Sequence, residues 1–173
     1  LGPQPGAPIG VLGIDLATRR RNRANGVVAS MDADGFTVAV QESFGNCPRY
    51  IQVRDVTNFP LLGTGNHAAL NDDDRALIAR ADTMFVASTA YDRVDISHRG
   101  GPAGFVRIEG DTLVIPDYAG NRYFNTLGNL LVDPRAALLF PDFADNRLLH
   151  VSGTVTIDWE AEQRVWRLHV TEV

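Results

Sequence analysis

The sequence predicts a mainly β fold, a closed or half-closed β-barrel carrying a few helices. Three observations carry this. Short apolar or alternating runs recur along the 173 residues, Gly, Asn and Asp turn signals separate them, and helical spacing shows in only two stretches. The length suits one core, or one domain plus part of another.

Taken in order, 9–16 is a short apolar run suited to a buried strand. Asn25-Gly26 reads as a two-residue hairpin turn, since both residues tolerate positive φ. Runs 27–31 and 36–40 flank Asp32-Ala-Asp-Gly35, a second hairpin. Phe36, Val38 and Val40 alternate with Thr37 and Ala39, which predicts one buried face. Gly45 to Pro48 breaks this strand, and Tyr50 to Val53 resumes extended chain. The stretch 58–66, with Pro60, Gly63 and Gly65, reads as a linker. A helix follows, capped by Asn71, with Asp72, Asp73 and Asp74 in the first turn where the helix dipole favours anions. The triple aspartate is thus helix chemistry rather than a metal site.

From 83 onward strands dominate: 83–89, 94–97, a hairpin of 104–108 and 113–116 around Gly110, 136–140 and 148–157. The second helix is expected over 122–132, with Tyr123, Phe124, Leu127, Leu130 and Leu131 at helical spacing, and Asp133-Pro134 stopping it.

Bulk composition narrows the function. With 21 acids against 16 bases and a net charge of −5, the chain lacks the basic footprint of a nucleic-acid binder. The cluster Arg19, Arg20, Arg21 and Arg23 reads as a solvated edge strand or turn, with an anion or partner contact as the alternative. No apolar run approaches the ~20 residues that cross a bilayer, so no membrane span is expected. A lone cysteine, Cys47, reads as a buried thiol and fits a reducing, cytoplasmic setting. His67, His98, His150 and His169 show no metal-ligand spacing with one another or with Cys47, so no metal is expected. Leu1-Gly-Pro3 and the strand-like end 167–173 read as an internal piece of a longer chain.

The block that carries chemistry is Asp95-Ile-Ser-His-Arg-Gly-Gly-Pro-Ala-Gly-Phe-Val-Arg-Ile108, followed by Ile115-Pro-Asp-Tyr-Ala-Gly-Asn-Arg-Tyr-Phe-Asn-Thr126. Gly100, Gly101 and Gly104 let backbone approach a ligand without Cβ obstruction. A polar helix entrance offers free N–H groups, and Arg122 adds a fork matched to phosphate. This describes a site for a phosphorylated small molecule with a flat apolar part. Gly63-Thr-Gly-Asn-His-Ala68 fits the loose dinucleotide pattern G-x-G-x-x-A. Pro60 in the preceding strand and Asp82 at a strand start, not a strand end, argue against that reading.

Residues 94–140 closely resemble the pyridoxamine 5′-phosphate oxidase-related, FMN-binding split-barrel family. The landmarks are Phe85-Val-Ala-Ser-Thr89, Asp95 to Pro102, Phe105-Val-Arg-Ile108, Ile115-Pro-Asp117, Gly120-Asn-Arg122, Asn125 to Leu131 and Asp133-Pro-Arg-Ala-Ala-Leu-Leu-Phe140. In order and spacing the resemblance runs over 83–157. It implies an FMN phosphate held by Asn121 and Arg122, with Asn125 and Thr126 close behind and Arg99 as a second cation. Ser97 belongs to the same implied site. Phe105, Val106, Ile115 and Pro116 would flank the isoalloxazine through backbone and apolar contacts. His98 sits in the same stretch, read as a loop, either touching ligand or exposed. The family's Ser-Arg-Lys trio is here Asn121-Arg122-Tyr123, and the oxidase's C-terminal arginine and histidine motif is not recognisable. FMN binding is therefore implied more strongly than vitamin B6 oxidation.

More loosely, Arg19 to Gly26 and Ser43 to Ile51 resemble segments that precede the flavin barrel in large relatives. This implies a strand-rich segment over 1–60, the closing half of a preceding degenerate barrel, before an FMN-binding barrel over 61–173. Phe44 to Tyr50 would then lie near the flavin of a facing barrel or subunit. The resemblance implies an FMN-dependent oxidoreductase assembled as a homodimer, or as a tandem-barrel pseudo-dimer, with the flavin at the interface. It leaves open a non-catalytic flavin carrier, a domain of a larger reductase, or a relative that binds haem or deazaflavin. Neither substrate nor electron donor follows from these residues, and no catalytic residue stands out.

Overall fold

The computed structural model describes residues 4–45, 48–56, 65–120 and 124–173. The first three strands, β1 (Pro8–Asp15), β2 (Arg20–Met31) and β3 (Phe36–Gly45), form an antiparallel sheet with β2 central. The β1–β2 turn is built by Asp15, whose carboxylate accepts the Ala17 amide at 3.0 Å and the Thr18 hydroxyl at 2.6 Å. Asn25-Gly26 makes no turn: both residues lie inside β2, opposite Glu42 and Val40, with a bulge between the two pairs. The reason is tertiary. The Asn25 amide donates to Asp95 at 2.8 Å instead of closing a local turn. At Gly26 a Cβ would lie 2.1 Å from the Ala39 carbonyl, so the position needs glycine for close approach. The Asp32–Gly35 hairpin is as expected, with Asp32 accepting the amides of Asp34 and Gly35 at 2.9 and 3.1 Å. The alternation in β3 does not mark a buried face, because Phe36 and Val40 are exposed.

Helix α1 (Asp72–Arg80) opens on a reciprocal capping box. Asn71 accepts the Asp74 amide and Asp74 accepts the Asn71 amide, each at 3.0 Å. Asp74, a buried carboxylate, also meets His67 Nε2 at 2.6 Å through the same Oδ2 that accepts the Asn71 amide.

Seven strands follow: β4 (Thr83–Ala90), β5 (Arg93–Gly100), β6 (Arg107–Glu109), β7 (Thr112–Pro116), β8 (Arg135–Asp142), β9 (Arg147–Asp158) and β10 (Val165–Glu172). They form one antiparallel sheet in the order β5-β4-β8-β9-β10-β7-β6. Their inward side chains, Met84, Leu113, Ile115, Leu138, Phe140, Trp166 and Leu168, are fully buried in one cluster. Leu77 and Ile78 of α1 close that cluster, as do Leu127 and Leu130 of α2 (Asn125–Val132). Each such side chain contributes about 1.5–3 kcal/mol of transfer free energy. The fold is mainly β, a split barrel with two helices among the described residues.

Helix α2 starts at 125, later than the expected 122, because Phe124 holds φ at 50° in the left-handed region and cannot join the helix. Asp133-Pro134 ends it as expected. The three-stranded sheet stands with β1 and β2 against β5. Arg23 and Asn25 of β2 reach Asp95 of β5 at 2.7 and 2.8 Å. No helix among the described residues is long and apolar enough to cross a membrane.

Candidate functional site

A cleft of about 560 Å³ opens between the end of the barrel and the three-stranded sheet. Strand β5 brings Ser97 and Arg99 to its wall, since residues two apart on a strand share a face. Pro116 to Gly120, leaving β7, form a second wall, and Asn125 and Thr126 in the first turn of α2 a third. Phe105 adds an apolar surface.

Gly100 explains how Tyr50 reaches the same cleft. A Cβ at this position would lie 2.2 Å from the Tyr50 carbonyl, so only glycine lets the 50–52 segment cross β5 so closely. Gln52 fastens the crossing by donating to the Gly101 carbonyl at 3.3 Å. The Tyr50 ring then stacks on Tyr118 at 5.4 Å and 24°, and its hydroxyl donates to the Ala119 carbonyl at 2.8 Å. The pair makes a flat aromatic surface beside the glycine run.

Charge is distributed unevenly. The chain carries −5 overall, yet Arg21, Arg23, Arg99 and Arg164 all line this cleft. Arg23 pairs with Asp95 at 2.7 Å, the two side chains 4% and 5% exposed. Burial pushes the Asp95 carboxyl above its ordinary value, against the opposing pull of Asn25 and Arg23. Asp117 is shared: Arg99 Nη1 donates to one carboxylate oxygen and Arg164 Nη1 to the other, each at 3.0 Å. Burial lowers the Arg99 pKa and Asp117 counteracts it. The Arg164 guanidinium also lies 5.3 Å from the Phe124 ring centre and 4.9 Å from that of Trp159. The Nε atoms of Arg99 and Arg164 are buried without a partner among the described residues. An unpaired buried donor costs on the order of 1–3 kcal/mol.

His98 is neither loop nor exposed. It lies within β5, is buried, and meets Phe85 edge-on at 5.7 Å. Its carbonyl accepts from Arg21 Nη1 at 3.0 Å. Burial first, then the charges of Arg21 and Arg99, lower the imidazole pKa to about 3, so the ring is neutral at physiological pH.

Of the residues expected at the site, the structure gathers Ser97, Arg99, Phe105, Pro116, Asn125 and Thr126 around this cleft. Val106 and Ile115 do not line it, because their side chains belong to the barrel core. Asn121 and Arg122 lie outside the described residues, as do Cys47 and Gly63. The solvated-edge reading of the arginine cluster fails for Arg21 and Arg23. They sit on the central strand of the sheet and turn toward the cleft, while Arg20 is exposed. Their spacing of two with Asn25 is the period of one strand face, a signal present in the sequence. Sequence reasoning also misses Arg164 and Asp117, while Tyr50, expected near the flavin of a facing barrel or subunit, lines this cleft. Nothing local distinguishes Arg164, which reaches the cleft from the connection between β9 and β10.

Residues 70–170 match the family model described as Pyridoxamine 5′-phosphate oxidase. Among solved structures, a histidine-to-alanine variant of tagged HupZ from Group A Streptococcus is similar at 14% identity. That likeness covers 60% of this chain and 97% of HupZ, with a TM-score of 0.49. Tagged HupZ without that change gives 17% identity over 58% of this chain and 89% of its own, with a TM-score of 0.44. No curated protein matches the chain.

Proposed function

The chain belongs to the pyridoxamine 5′-phosphate oxidase family, and from that premise we propose that its cleft binds FMN and serves an oxidoreductase. The observation that carries the reading is the gathering of four guanidiniums beside a Tyr50–Tyr118 stack in an otherwise acidic chain. The volume of about 560 Å³ falls within the ~300–1,000 Å³ usual for cofactor pockets. The donors also fit a phosphorylated flavin. Arg99 and Arg164 keep unpaired N–H groups at the cleft wall, and the first turn of α2 adds the dipole end that favours phosphate.

When bound, FMN supplies the electron chemistry; the protein supplies position, electrostatics and exclusion of water. Tyr118, Phe105 and Pro116 offer the flat apolar surface for the ring system. Arg99 and Arg164 offset the phosphate charge. The 50–52 segment covers the glycine run and keeps water from that side. His98 stays neutral, so it adds no further positive charge. A second copy of the chain would cover the open mouth of the cleft.

The test is the absorption spectrum of the purified protein, followed by release and identification of the chromophore. Flavin bands at one FMN per chain support the reading. A haem or deazaflavin spectrum, or no uptake of FMN at saturating concentration, would overturn it. Anaerobic reduction of the bound flavin by NADH or NADPH then separates an enzyme from a carrier.

A further inference from the structure

We propose that Arg164 and Arg99 are the two jaws of a clamp for a ligand oxyanion, phosphate or carboxylate, and that Asp117 is the positioning residue between them. The inference rests on the cleft being a ligand site, as proposed above, but not on the ligand being FMN. A guanidinium carries five N–H donors in a fixed fork. Arg99 and Arg164 each give Asp117 one, from Nη1, and their buried Nε atoms have no partner among the described residues. The exposed Arg135–Asp133 pair behaves differently. Arg135 turns Nε and Nη2 together onto Asp133, at 3.0 and 2.6 Å, so that edge of its fork is already filled.

Two positive charges facing one carboxylate leave the trio with a net positive charge at the cleft wall. Asp117 is 12% exposed, and Arg99 and Arg164 are 22% and 32% exposed. The group is thus partly shielded from water yet reachable from the cleft, where charge-assisted hydrogen bonds are strong. Arg164 is also held in place before any ligand arrives. Asp117 fixes one edge of it, and the Phe124 and Trp159 rings lie within 5.3 and 4.9 Å of the guanidinium carbon. A side chain already ordered loses little further rotamer freedom on binding.

The experiment compares wild type with Arg164→Gln, titrating FMN, riboflavin and inorganic pyrophosphate by calorimetry, with thermal melting as the check on folding. Trp159, half exposed beside Arg164, gives a fluorescence signal at the clamp itself. If the clamp takes the flavin's own phosphate, Arg164→Gln should weaken FMN roughly 10- to 100-fold and leave riboflavin unchanged. If it takes the oxyanion of a second ligand, both flavins should bind as before and pyrophosphate should no longer bind the FMN-loaded protein. Either result supports the clamp. Unchanged flavin affinities together with unchanged pyrophosphate binding would overturn it. A wild type that binds no flavin but binds pyrophosphate through Arg164 would keep the clamp and remove the flavin reading. Should Arg164→Gln fail to fold, Arg164→Lys carries the same test. It keeps the charge without the planar fork and should show an intermediate loss, and wild-type behaviour would count against the clamp.

Discussion

Replacing Asp95 by leucine should undock the three-stranded sheet from the barrel. Asp95 accepts from Arg23 at 2.7 Å and from Asn25 at 2.8 Å, and both members of the ion pair are at most 5% exposed. Removing the carboxylate leaves the Arg23 charge buried without that counter-ion and facing an apolar side chain, which typically costs about 3–5 kcal/mol. That is a large part of the ~5–15 kcal/mol holding an ordinary domain together. The pair itself is worth less than this. Burial raises the Asp95 pKa despite Arg23 and Asn25, so desolvation outweighs what the partners return. A carboxyl with a raised pKa adds most stability below its ordinary value of 3.8, and that contribution is lost as pH rises through the raised value. The double variant Arg23→Met with Asp95→Leu should therefore recover most of the loss at neutral pH. Urea denaturation gives the stabilities, and hydrogen exchange in β2 shows where the structure opens. A loss below about 1 kcal/mol for Asp95→Leu alone would refute the latch. FMN affinity should fall with the undocking, because Arg21 and Arg23 leave the cleft wall with β2.

Other expectations follow from the same contacts. His98, held near a pKa of about 3 by burial, should show no imidazole titration by NMR between pH 5 and 8. Its depressed value gives stability that is complete above the ordinary 6.5 and lost as pH falls toward 3, at up to about 1.4 kcal/mol per pH unit; His98→Phe should flatten that limb in acid denaturation. Gly100→Ala would place a Cβ 2.2 Å from the Tyr50 carbonyl, so it should cost roughly 1–3 kcal/mol in melting experiments and weaken FMN by displacing Tyr50. Asn71→Ala removes the α1 capping box, at a cost of about 1 kcal/mol by urea denaturation, and should leave FMN affinity unchanged. With FMN bound, light scattering should give twice the mass of one chain; a monomer that retains FMN through gel filtration would count against a second copy at the cleft mouth.

The sequence makes the barrel legible because its signals are local and mutually consistent. The strand run 148–157, the Asp32–Gly35 turn and the Asn71 cap each predict one element, and each element forms. Asn25-Gly26 misleads because a turn dipeptide is only a local preference, and here a buried hydrogen bond to Asp95 overrides it. Phe36 and Val40 mislead because alternation shows that two faces differ, not that either is covered.

The candidate site is legible in its barrel half, where Ser97, Arg99, Phe105 and Pro116 lie close together in the chain. Its other half is not. Arg21, Tyr50 and Arg164 come from three distant segments that meet only through the docking of β2 on β5 and the close crossing at Gly100. No spacing rule encodes such a meeting, although the Arg21–Arg23–Asn25 period does mark one strand face and argues against a solvated edge.

A crystal structure of the protein grown with FMN tests the site most directly. The flavin should lie in the cleft between β5 and the 116–120 wall, its ring against Tyr118 and its phosphate within hydrogen-bond reach of a cleft arginine. Flavin bound elsewhere on the barrel, or in this cleft with its phosphate turned away from every cleft arginine and from the first turn of α2, would contradict the proposed site.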